Sequence, residues 1–187
     1  MSSLYFNEDH EGIREMAKDF AEKTLAPIAG EIDKTEAFPM DVVKTMADMG
    51  FLGLKIPEEY GGLGLDMRSY ICVMEEIAKK CATATIFISS ANSLSTAPIV
   101  ISGTPEQKEK YLPGVAAGES LIAFGLTEPN AGSDAASMTT RAVEDGDSYI
   151  LNGRKCFITM APIADQCIVY AKTDPEKGAK GITCFMV

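Results

Sequence analysis

The chain has 187 residues, 46% hydrophobic and 24% charged, which suits one ordinary domain or two small ones with buried cores. Its formal net charge is −10 and its pI about 4.6, which sets it against nucleic acid and anionic membranes, whose phosphates need Lys and Arg. A small anionic ligand is still admitted, through a helix N-terminus or a nest of backbone N–H groups.

Residues 1–10 carry neither a basic nor an apolar region, so no secretory signal is expected and a cytoplasmic location is. Asn7 is placed to cap a first helix with Ile13, Met16 and Phe20 inward, disturbed at its far end by Pro27 and Gly30. Phe38-Pro39 opens a second helix with Val42, Val43, Met46 and Met49 inward and Gly50 as its stop. An irregular segment rich in breakers, residues 56–64, follows. Asp66 then caps a third helix whose stripe is Met67, Tyr70, Ile71, Met74 and Ile77.

Residues 81–101 contain no charged side chain. Ser89, Ser90, Asn92, Ser93, Ser95 and Thr96 are too polar for hydrocarbon, so the stretch reads as a helix buried in protein or at a subunit contact, not a membrane span. Thr104-Pro105-Glu106-Gln107 starts another helix, with Thr104 as cap, Pro105 first inside and Gln107 closing a capping box; it should end near Pro113-Gly114.

From about residue 121 the pattern changes. Asp145-Gly146 and Asn152-Gly153 read as hairpin turns, with strands over residues 148–151, 154–159 and 166–172 and another beginning at Gly181. The order predicts an α+β chain: an all-α helical domain over residues 1–118, then an incomplete antiparallel β-domain over residues 119–187. The sequence stops in an apparent strand, Phe185-Met186-Val187, so a fragment or one part of a larger assembly is expected. Cys72, Cys81, Cys156, Cys167 and Cys184 are odd in number, lack a C-x-x-C pair and have only His10 for company. They read as reduced thiols, and no metal site is expected.

Residues 124–134, Phe-Gly-Leu-Thr-Glu-Pro-Asn-Ala-Gly-Ser-Asp, carry the chemistry. A strand ending at Thr127 enters a tight loop in which Pro129 has no N–H and Gly132 can take angles closed to other residues. Such a loop offers N–H groups and the hydroxyls of Thr127 and Ser133 to a flat heteroaromatic ring. Thr-Glu-Pro-x-Ala-Gly-Ser-Asp, followed by the triplet Phe157-Ile158-Thr159, resembles the signature of acyl-CoA dehydrogenases. Three further stretches resemble family segments in the same order. These are residues 56–66, residues 103–108 with Tyr111-Leu112-Pro113, and Tyr149-Ile150-Leu151-Asn152-Gly153-Arg154-Lys155.

The resemblance implies a helical domain, a middle β-domain and a C-terminal helical domain that is absent here. It also implies FAD and α,β-dehydrogenation of an acyl-CoA thioester, in a homotetramer that passes electrons to an electron-transfer flavoprotein. It places Phe124, Leu126 and Thr127 on the flavin. Gly132 and Ser133 fall near the pyrophosphate or the thioester substrate, and Phe157, Ile158 and Thr159 along the isoalloxazine. The catalytic carboxylate belongs to the C-terminal domain, so no catalytic residue is assigned and Glu128 reads as a loop-structuring group. Met160-Ala161-Pro162 departs from the family, which shows Asn or Ser and then small residues there. The stretch 89–99 resembles short-chain members, and its polarity argues against a long apolar bore, pointing to an acyl group of about four carbons. An acyl-CoA oxidase or an enoyl-CoA reductase on the same fold, or a non-catalytic interaction module, stays open beside this reading.

Overall fold

The computed structural model describes residues 5–187; residues 1–4, part of the stretch read for a secretory signal, lie outside the described residues. The chain divides into two compact units, Met1–Ser120 and Leu121–Val187.

The first unit is helical. Helix α1 (Glu8–Phe20) starts on a reciprocal cap: the Asn7 side chain accepts from the His10 N–H at 3.0 Å, and His10 Nδ1 accepts from the Asn7 N–H at 3.0 Å. Its buried face is His10, Ala17 and Phe20, while Met16, expected inward, is 39% exposed. A π-turn at Ala21–Leu25 precedes Pro27, and the chain resumes as α2 (Ala29–Thr35). Helix α3 (Met40–Asp48) buries Val42, Val43, Met46 and Ala47, and Gly50 follows it at φ +78°, where L-residues are strained.

Helix α4 (Met67–Ala78) has the expected cap, Asp66, accepting from the Ser69 N–H at 2.9 Å. The expected stripe is corrected. Ser69, Cys72, Val73, Glu76 and Ile77 are buried, whereas Met67 and Ile71 are 51% and 40% exposed. The reason lies on α1: Arg14 donates to Glu75 at 2.7 Å, to Glu76 at 3.2 Å and to Cys72 Sγ at 3.2 Å. A polar face can turn inward where a neighbouring helix brings its counter-charge.

The uncharged stretch forms α5 (Ala82–Ser89), a π-turn (Ser90–Leu94) and α6 (Ala97–Ser102). By length and composition Ala82–Ser102 could cross a membrane, but half of it is buried inside the protein. Ser90, Asn92, Ser95 and Thr96 spend their polar groups internally. Asn92 donates to Phe51 O (2.7 Å) and Ile88 O (2.9 Å) and accepts from the Lys55 N–H (2.9 Å). Thr96 donates to Ala91 O at 2.6 Å, and Ser90 and Ser95 join hydroxyls at 2.7 Å. Helix α7 (Pro105–Ala116) has the predicted capping box of Thr104 and Gln107. It runs through Pro113 to Ala116, past the expected stop.

The second unit is a five-stranded sheet of β1 (Ile122–Gly125), β2 (Arg141–Asp145), β3 (Ser148–Asn152), β4 (Gln166–Lys172) and β5 (Ile182–Met186). The α+β order holds, with one correction: the sheet is mixed. β2 and β3 form the antiparallel hairpin predicted at Asp145-Gly146, and β5 is antiparallel to β4. β1 runs parallel to β4, and Arg141 of β2 meets Lys172 of β4 in parallel register. The whole β2–β3 hairpin acts as the crossover between β1 and β4, which local periodicity does not show. Residues 154–159, expected as a strand, are not one, and Asn152-Gly153 is not a hairpin turn. A Cβ at Gly153 would run into the side chain and backbone of Thr140, so this glycine serves close approach.

Candidate functional site

Strand β1 stops at Gly125, two residues earlier than expected, because the chain turns at once. Glu128 and Ala131 exchange both backbone bonds at 3.1 Å, closing a tight turn with Pro129 and Asn130 at its tip. Proline fits there because its preset φ favours the turn and no N–H is wanted. Ser137 Oγ donates to Asp134 O at 2.8 Å and fixes the far side of the loop.

Glu128 is the anchor of this loop. One carboxylate oxygen accepts from the Thr139 N–H at 2.6 Å and the Thr139 hydroxyl at 2.8 Å. The other accepts from the Thr140 N–H at 2.9 Å, from the Thr140 hydroxyl, and from Lys155 Nζ at 2.9 Å. Burial works to raise the pKa of Glu128. The Thr140 hydroxyl, Lys155 and the Thr139 and Thr140 amides outweigh it and hold the carboxyl well below the usual range. Five donors on two oxygens leave no lone pair for proton transfer to a ligand, so Glu128 is a structural group, as its position in the loop suggests.

Lys155 also donates to Leu126 O at 3.0 Å, and the Cys156 N–H donates to Thr127 O at 3.0 Å. These bonds bring the Phe157-Ile158-Thr159 triplet beside Leu126 and Thr127, so the two segments singled out in the sequence do meet. The triplet lies in a strained turn. Phe157 and Met160 have φ of +57° and +63°, and Met160 O accepts from the Ile163 and Ala164 N–H groups, both at 2.9 Å. The Phe157 ring is 92% exposed, while Met160 is buried under the turn. Sequence reading missed this use of Met160, and a non-glycine residue at positive φ leaves no mark in periodicity.

Phe124 does not lie free beside the loop. Its ring packs edge-on against Tyr170 of β4, with centroids 5.4 Å apart. Gly132 is not at positive φ, so it is not required by its own conformation, and an added Cβ would meet nothing within 4 Å. Among the described residues, Thr127, Ser133 and Thr159 spend no hydroxyl on another side chain or carbonyl. Three uncommitted hydroxyls, an exposed aromatic face and an open glycine fit a large, flat, polar cofactor such as FAD. Lys155 and Thr139 are the residues of this loop that sequence reasoning misses, although Lys155 ends the Tyr149–Lys155 stretch that resembles the family.

A mixed sheet that gathers a Thr-Glu-Pro loop and a Phe-Ile-Thr turn follows an all-helical unit, the order of domains and motifs that the sequence resemblance implies. The family model for the acyl-CoA dehydrogenase N-terminal domain matches residues 7–119, and that for the middle domain matches residues 123–187. The chain belongs to the acyl-CoA dehydrogenase family.

Among its relatives is the 3-(aryl)acrylate reductase of Clostridium sporogenes, 56% identical over 98% of this chain and 49% of that protein. Subunit CarC of the caffeyl-CoA reductase-Etf complex of Acetobacterium woodii is 50% identical over 98% of this chain and 49% of its own length. The short-chain specific acyl-CoA dehydrogenase of Clostridium acetobutylicum is 47% identical over 96% of this chain and 47% of its own. The chain therefore spans about half the length of the curated relatives it matches. Of solved structures, butyryl-CoA dehydrogenase from Megasphaera elsdenii superposes with a TM-score of 0.92 at 41% identity, over 99% of this chain and 49% of that one. A glutaryl-CoA dehydrogenase from Mycobacterium smegmatis, solved in complex with FADH2, gives 0.92 at 34% identity, over 100% of this chain and 47% of that one.

Proposed function

We propose that the whole protein oxidises the Cα–Cβ bond of a short acyl-CoA thioester with FAD, held here by Phe124, Leu126, Thr127, Gly132, Ser133, Phe157, Ile158 and Thr159. The observation that carries this is the junction of the two segments through Lys155 and Cys156, with the hydroxyls of Thr127 and Thr159 uncommitted. FAD, when bound, supplies a two-electron acceptor for hydride from Cβ. The chain's own residues bind and orient. Thr127 and Thr159 offer hydroxyls to a polar ring edge, Phe157 offers a π-face, and Gly132 and Ser133 leave room for pyrophosphate or thioester. Ser133 is the residue proposed to meet substrate. No residue of this chain is proposed to remove the α-proton: the resemblance assigns that carboxylate to the C-terminal domain, and Glu128 is fully engaged.

We place the enzyme in the cytoplasm as a homotetramer that hands electrons to an electron-transfer flavoprotein. The naming of CarC as part of an Etf complex supports the partner. The five free cysteines fit a reducing compartment. The short-chain reading is supported by the resemblance of residues 89–99 to short-chain members and by the 47% identity to a short-chain specific acyl-CoA dehydrogenase. Asn92 and Thr96, between α5 and α6, are spent on Phe51, Lys55 and neighbouring helix carbonyls, so their polarity does not argue for a shallow pocket. Turnover of the full-length protein across an acyl-CoA series, with an artificial electron acceptor, tests this. The specificity constant should peak near about four carbons; a constant still rising beyond about eight, as each methylene finds apolar wall, contradicts it.

A second reading has a specific support: the two reductases, at 56% and 50% identity, stand above the short-chain dehydrogenase at 47%. On that reading the same site runs in reverse and reduces the α,β double bond of an arylacrylic thioester. Dye-driven reduction of a phenylacrylyl-CoA that outruns oxidation of butyryl-CoA under the same conditions would favour it.

A further inference from the structure

No strand pairing joins Leu126–Thr127, just past the end of β1, to the 157–159 turn, because β1 pairs with β4 and residues 153–165 belong to no strand. The junction depends on one side chain and one amide. Lys155 Nζ lies 3.0 Å from Leu126 O and 2.9 Å from Glu128 Oε1, and its aliphatic stem passes over Gly125. A Cβ at Gly125 would meet Lys155 Cγ at 3.6 Å, an ordinary packing distance, and the tighter contact, 3.1 Å, would be with Ile168 O of the neighbouring strand. The Lys155 side chain is 11% exposed and that of Glu128 3%. The ammonium is therefore largely shielded from water, and its position is set chiefly by the two acceptors. Glu128 is in turn pinned by Thr139 and Thr140, and Thr140 by its packing on Gly153.

We propose that Lys155 is a positioning residue for the flavin: its ammonium clamps the Leu126 carbonyl and Glu128 together, fixing Thr127 relative to Ile158 and Thr159 and so the slot in which the ring lies. The inference rests on reading these two segments as the FAD site. It predicts that the charge at position 155, not only the volume, tunes the bound flavin without touching it. Small errors in such a support spread into the site, because binding geometry must be held to within a fraction of an ångström.

The test compares full-length protein with its Lys155→Met and Lys155→Arg variants, measuring FAD affinity, the visible flavin spectrum and the flavin midpoint potential. Lys155→Met should weaken FAD by about tenfold or more and shift the flavin bands and potential, with far-ultraviolet circular dichroism unchanged. Lys155→Arg, which restores the charge, should recover affinity to within about threefold. A Lys155→Met protein with native affinity, spectrum and potential overturns the proposal. So does a Lys155→Arg protein as weak as Lys155→Met. Should Lys155→Met be insoluble, Glu128→Gln carries the test: it keeps the shape but removes the counter-charge, and an unchanged flavin in that variant also overturns the proposal. Failure of the unsubstituted protein to bind FAD would instead sink the functional reading, so the two failures are distinguishable.

Discussion

His10 ties the start of α1 to the start of α4: its Nε2 lies 3.2 Å from both oxygens of Asp66, while its Nδ1 accepts the Asn7 N–H. The Asn7 bond needs a lone pair on Nδ1, so the ring proton sits on Nε2 and is donated to Asp66. Asp66 also caps α4. The Ser69 N–H foremost, then His10, the Ser69 hydroxyl and Arg68, hold its carboxyl well below the usual range.

Replacing His10 by Ala removes half of the capping box and the link to Asp66 together. We expect a loss of about 1–2 kcal/mol in urea unfolding. His10→Gln should lose less, since Gln at this position can still accept from the Asn7 N–H. Nitrogen-15 spectra of the imidazole should report the Nε2–H tautomer.

Asn92→Leu is expected to be among the costlier helical substitutions. The buried amide serves Phe51 O, Ile88 O and the Lys55 N–H, and removal strands groups of the irregular 51–55 segment. A loss of about 2–4 kcal/mol in chemical denaturation follows from leaving buried backbone groups unsatisfied.

The acid limb of stability should report Glu128. Its folded pKa lies below the unfolded value of 4.5, so its contribution is complete above that pH and is lost as pH falls toward the depressed value. Urea unfolding at pH 7 and at steps below 4.5 should show this decline. Glu128→Gln should be less stable at pH 7 by roughly 2–4 kcal/mol, with a Lys155 ammonium left without its counter-charge, and should show a shallower acid slope.

Much of the fold was legible because its signals are local. The caps at Asp66 and Thr104 with Gln107, the Asp145-Gly146 turn and the strands over residues 148–152 and 166–172 each depend on a few adjacent residues. What failed depends on partners far along the chain. The buried face of α4 lies out of phase with its apolar stripe because Glu76 is buried, and it is buried because Arg14 and Lys79 meet it. The 154–159 segment has strand-like composition, but left-handed Phe157 and Met160 break any ladder. At the site, the Thr-Glu-Pro loop and the Phe-Ile-Thr triplet were found from resemblance. The clamp through Lys155 spans 27 residues to Glu128, and no spacing rule announces it.

Gly132 separates ligand from fold. A methyl group there meets nothing within 4 Å of the chain, so Gly132→Ala should leave the melting temperature within about 2 °C. Its FAD affinity should nevertheless fall severalfold, because a cofactor lying against this backbone would meet the added methyl. Calorimetry and fluorescence titration with FAD read the two effects separately.

FAD binding and its reduction by a short acyl-CoA are read together in the visible absorption of purified full-length protein, titrated anaerobically with butyryl-CoA. The expected result is a yellow protein with about one FAD per chain, whose flavin band at about 450 nm bleaches as acyl-CoA is added, because bound substrate reduces the ring. A colourless protein that takes up no added FAD, or a flavoprotein whose band is unmoved by any acyl-CoA or by the matching enoyl-CoA after reduction, would contradict it.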